Sequence, residues 1–111
     1  MTDKELVMYS RTYGCPYIST AKRVLKEYDV PYREIMIDKD PIAKQRVLDW
    51  TGFLSVPTMI MANQGEDLPY TDVIPLAAGT SPRGVDRGVM LTEATAEQVE
   101  TWLRKQGLIT D

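Results

Sequence analysis

The sequence predicts an α/β chain: a four-stranded mixed sheet flanked by three helices, in the order β-α-β-α-β-β-α. Short apolar runs mark the strands, and apolar residues at helical spacing fill the gaps between the first three. Proline, glycine and capping residues stand where helices should start and stop. The first strand–helix–strand passage implies a parallel, right-handed unit. The last two strands suggest an antiparallel pair.

Leu6-Val7-Met8-Tyr9, ended by Ser10, suits a buried first strand, and 10–14 reads as a loop. After Cys15, Pro16 opens a helix whose apolar face carries Ile18, Ala21, Val24, Leu25 and Tyr28. Asp29-Val30-Pro31 closes it, because a residue before proline resists the helical region. A second strand is expected within 32–38, around Ile35-Met36-Ile37. Asp40 and Pro41 read as N-cap and first residue of a second helix bearing Ile42, Val47, Leu48 and Trp50, stopped by Gly52.

Val56 to Ala62 forms the third strand, with Pro57 near its beginning, where a missing N–H is tolerated. From 63 to 88 three prolines and four glycines break the pattern, leaving a long inserted loop with a weak strand candidate at 72–76. Such a loop either docks a partner or covers the sheet edge. Val89-Met90-Leu91 is the fourth strand. Thr95 with Gln98 makes a capping box for a last helix holding Val99, Trp102 and Leu103, ended by Gly107. Met59-Ile60-Met61, Trp50 and Trp102 read as core.

The chain has 111 residues, the size of one domain spanning 1–111. Its composition, 43% apolar and 26% charged, is ordinary for a soluble globular protein. A net charge of −3 with scattered basic residues argues against nucleic acid. No apolar run reaches a membrane span, and Met1 to Glu5 has no apolar leader core, so a cytoplasmic location is expected. With one Cys and no His, no metal site built by this chain alone is expected.

Cys15 is the candidate catalytic residue. It lies between a strand and a helix, directly before the proline that starts that helix. The free amides and dipole of a first turn favour thiolate over thiol, so an exposed, reactive sulfur is expected there.

Val7-Met8-Tyr9-Ser10, Cys15-Pro16-Tyr17 and Ser55-Val56-Pro57-Thr58, in that order, resemble a glutaredoxin. The resemblance covers 5–62 well and 89–108 by pattern. It implies a thioredoxin-like fold and thiol–disulfide exchange on protein mixed disulfides, with glutathione or another low-molecular-weight thiol as co-substrate and no permanently bound cofactor. It also implies a cis Val56-Pro57 bond, with Val56 offering its main chain to a bound thiol peptide and Pro57 beside the sulfur. Tyr17 would pack against that ligand. A monomer acting on thiol or disulfide proteins is the expected form.

Three departures refine this. Ile18 replaces the second cysteine of the dithiol motif, so any cycle is monothiol. Thr12 stands where the family carries a basic residue, leaving Arg11 as the candidate for the small thiol's carboxylate. Thr92-Glu93-Ala94-Thr95 replaces the family's Gly-Gly-x-Asp segment, where a free Glu93 carboxylate would repel the γ-glutamyl group. This tail looks closer to redoxins that use other thiols. Two alternatives stay open: a [2Fe–2S] carrier formed as a Cys-bridged dimer, and a redox-inactive module docking partners through 63–88.

Overall fold

The computed structural model describes residues 4–110. Its elements are β1 (Lys4–Ser10), α1 (Pro16–Glu27), β2 (Tyr32–Met36), α2 (Pro41–Thr51), β3 (Thr58–Asn63), β4 (Met90–Thr92) and α3 (Ala96–Lys105). The sheet order is β2-β1-β3-β4. β1 runs parallel to β2 and antiparallel to β3, and β4 is antiparallel to β3. The predicted element order and mixed sheet are therefore present.

Alternation along the central strands divides the core into two layers, because successive strand side chains face opposite ways. Leu6 and Met8 of β1 join Met59 and Met61 of β3 beneath α1 and α3, with Trp102 fully buried among them. Val7, Tyr9, Ile60 and Ala62 face the other way and meet Ala43 and Val47 of α2. Both surfaces of the sheet are covered, which explains why β1 reads as a continuous apolar run.

The helix boundaries follow their local chemistry. Asp40 accepts hydrogen bonds from the amides of Ile42 (3.0 Å) and Ala43 (3.2 Å), and Gly52 ends α2 with φ +79°. Both sides of the expected capping box join Thr95 and Gln98. Ile42 is not core: it is 65% exposed, because α2 turns Ala43 and Val47, four residues apart, toward the sheet. Tyr28 lies past the end of α1, exposed, and its hydroxyl donates to Glu100 (3.1 Å). Trp50 is only partly buried, edge-on to Tyr9 at 5.1 Å.

The inserted stretch between β3 and β4 contains no strand at 72–76. The edge of β4 is taken instead by isolated bridges from Arg83 to Thr92 and from Asp86 to Leu91. Pro75, which has no N–H to offer a ladder, sits inside the expected strand. The segment thus covers the sheet edge, one of its two expected roles. Among the described residues no helix is long and apolar enough to cross a membrane.

Candidate thiol site

Cys15 is the N-cap of α1, with extended backbone (φ −154°, ψ 127°), and Pro16 follows as the first helical residue. Its carbonyl accepts the first bonds of the helix, from Ile18 N (3.1 Å) and Ser19 N (3.2 Å). The side chain makes no capping bond with the first-turn amides. The Sγ instead donates to the Val56 carbonyl across the site at 3.6 Å. A thiolate has no proton to give, so this contact belongs to the thiol form. The expectation of an openly exposed sulfur needs correction: Cys15 is half-buried and packs against the layer holding Val7, Tyr9 and Val56.

The Val56-Pro57 bond is cis, as the resemblance implied. The turn that carries it is held from three sides. Thr58 Oγ1 donates to the Ser55 carbonyl (2.8 Å) and meets Thr92 Oγ1 (3.0 Å), both buried. Glu93 N donates to the Pro57 carbonyl at 3.0 Å. β4 and the residue after it therefore fix the turn facing the sulfur.

Tyr17 is half-buried two residues past the thiol. The Arg83 guanidinium of the inserted segment lies over its ring, 5.2 Å from the centroid. Arg83 Nη2 also bonds Glu93 Oε2 at 3.1 Å, with Nε at 3.3 Å from the same oxygen. Glu93 is thus not the free carboxylate expected: its side chain is 14% exposed and already paired, whereas that of Arg83 is 60% exposed. Sequence reasoning missed this residue. Its only trace was the turn chemistry around it, Pro82 before and Gly84 after, because the contact spans ten positions to Glu93 and far more to Tyr17.

Arg11 turns onto its own loop, donating to the Gly14 carbonyl (3.2 Å) with its guanidinium 4.6 Å from the Tyr13 ring centroid. It lines a cleft of about 410 Å³ with Tyr13, Asp38, Lys39, Lys44 and Leu54, and Cys15 is not among its walls. Thr12 N (3.1 Å) and its hydroxyl both bond Asp38, and the hydroxyl bond is the main force holding that carboxyl below its ordinary range. Cys15 therefore meets the Val56-Pro57 turn, Tyr17 lies two residues further along α1 under Arg83, and Arg11 lines a separate cleft.

A four-stranded mixed sheet with helices on both faces, a cysteine at the N-cap position of the first helix, and a cis proline next to the carbonyl that its sulfur touches define a thioredoxin-like fold. The family model of the glutaredoxins matches residues 6–64, just over half of the chain, and the chain belongs to that family. No curated protein matches the chain. Among solved structures, it is similar to a buckwheat glutaredoxin in complex with glutathione, with 30% identity, a TM-score of 0.43, and coverage of 50% of this chain and 53% of that one. The match thus spans about half the length of each.

Proposed function

We propose that the protein reduces mixed disulfides by a monothiol cycle in which Cys15 is the only sulfur that reacts. The observation carrying this reading is the contact of Cys15 Sγ with the Val56 carbonyl (3.6 Å), directly before Pro57. An extended chain bearing a disulfide can lie against that turn, using the main chain of Val56 for pairing. Tyr17 supplies the adjoining wall. Arg11, beside Lys39 and Lys44 in the neighbouring cleft, offers positive charge to the carboxylate of glutathione or a similar small thiol.

The chemistry balances without a bound cofactor. The Cys15 thiolate attacks one sulfur of a protein–small-thiol disulfide, forming a bond to the small thiol and expelling the protein thiolate, which takes a proton from water. With Ile18 in the resolving position, a second small-thiol anion attacks that new bond. It releases Cys15 as thiolate and leaves as the oxidised small thiol, so two small thiols supply the two electrons. The reading describes one domain, 1–111, working as a cytoplasmic monomer.

Intact-mass spectrometry after exposure to glutathione disulfide tests this. One glutathione adduct is expected on the native protein, reversed by reduced glutathione and missing in Cys15→Ser. If the adduct forms only in denaturant, the sulfur is structural and the cycle is excluded.

A further inference from the structure

The inserted segment does more than cover an edge, because it brings Arg83 onto the Tyr17 ring, two residues from Cys15, and into a pair with Glu93. The main chain of Arg83 bridges Thr92, the next amide, Gly84 N, bonds the Thr92 carbonyl at 2.7 Å, and Arg83 N reaches Ser81 Oγ at 3.3 Å. Gly84 has φ +72° and sits so close to α3 that a Cβ there would lie 2.8 Å from the Gln98 side chain. A hydrogen-bonded stretch of main chain, paired to β4, therefore carries this guanidinium.

Its surroundings tie it to the reacting sulfur through two short paths. Tyr17, beneath Arg83, is two residues from Cys15. Glu93, bonded to Arg83, donates its amide to Pro57, next to the Val56 carbonyl that the thiol touches. The charges here are unequal in access, since Glu93 is mostly covered and Arg83 mostly open. An arriving group meets the cation first, and the guanidinium keeps Nη1 without a hydrogen-bond partner among the described residues.

We infer that Arg83 is a specificity-determining residue of the thiol site, selecting disulfides that carry a carboxylate close to the reacting sulfur. This rests on Cys15 being the reacting thiol. The positive charge is supplied by the insertion, and Arg83 is not among the residues that line the Arg11 cleft. Planar donors match a carboxylate in pairs, while Glu93 and the Tyr17 ring keep the fork oriented.

The test measures the rate of Cys15 adduct formation with three disulfides of similar size: anionic dithiodipropionate, neutral bis(2-hydroxyethyl) disulfide and cationic cystamine. The native protein should prefer the anion over the cation, and Arg83→Gln should reduce that ratio by about fivefold, the order expected for one exposed ion pair. Arg83→Lys should restore part of the ratio, and added salt should compress it in the native protein. Lys26→Gln, on α1, changes net charge equally and should leave the ratio high. A ratio unaltered in Arg83→Gln, or lowered as much by Lys26→Gln, overturns the assignment to Arg83. Failure of all three disulfides to react instead overturns the role of Cys15, and the selectivity with it.

Discussion

Arg87 shows how one buried cation can tie together segments that share no ladder. It is 6% exposed, and its Nε donates to the Ile74 carbonyl (2.8 Å) while Nη1 donates to the Trp50 carbonyl (2.5 Å) and touches Met90 Sδ (3.6 Å). No carboxylate pairs with it among the described residues, and burial pulls its pKa below the usual arginine range. Two effects oppose each other: desolvating the charge costs stability, and satisfying two main-chain carbonyls returns it. Removing the guanidinium relieves the first but strands both carbonyls, at about 1–3 kcal/mol each. Arg87→Met should therefore lose about 2 kcal/mol net, read as a lower urea midpoint. It should also expose 74–87 to proteolysis before the sheet unfolds. An unchanged midpoint would mean that water replaces the guanidinium without loss.

At the scale of elements, each helix is set by a few neighbouring residues, and these were readable in the sequence. Asp40-Pro41, Gly52 and the Thr95/Gln98 pair each act through bonds spanning no more than four residues. Thr95→Ala should cost about 1 kcal/mol of stability by leaving the Gln98 amide unpaired, measurable by urea unfolding. A Thr95→Ser variant should lose far less, since it keeps the accepting oxygen. What the sequence hid involves distance along the chain. Ile42 belongs to an apolar residue type, but only the packing of Ala43 and Val47 decides which side of α2 is inside. The edge partner of β4 could not be read locally either, because Arg83 and Asp86 reach it through bridges from an irregular segment. The same applies to the site. Cys15-Pro16-Tyr17 and Val56-Pro57 are legible as motifs, whereas the pairing of Glu93 with Arg83 arises only when the insertion folds back, and the partial burial of the thiol only when β1 and the Val56 turn pack against it.

For the whole molecule, the insertion is fastened at both ends by main-chain bonds and ion pairs together. Its return, through Arg83 to Gly88, is held by main-chain bonds and by Trp102 Nε1 donating to the Gly88 carbonyl (2.8 Å). Its departure is also held by charge: Arg33 of β2 bonds Glu5 Oε1 (3.0 Å), Asp67 Oδ1 (2.6 Å) and the Glu66 carbonyl (2.6 Å), while Gly65 N bonds Glu5 Oε2 (2.5 Å). The Gly65 amide, then Arg33, hold the Glu5 carboxyl below its ordinary 4.5. The unfolded chain therefore binds a proton at Glu5 at a pH where the folded chain does not, and stability rises with pH through that window. This contribution is complete above about pH 5 and fades as pH falls through the lowered value. Glu5→Gln keeps an acceptor but removes the charge, so it should lower the urea midpoint at pH 7 and converge on the native protein near pH 3. A difference between the two that is the same at pH 3 and pH 7 would show that Glu5 acts by shape alone, and that charge does not fasten the start of the insertion.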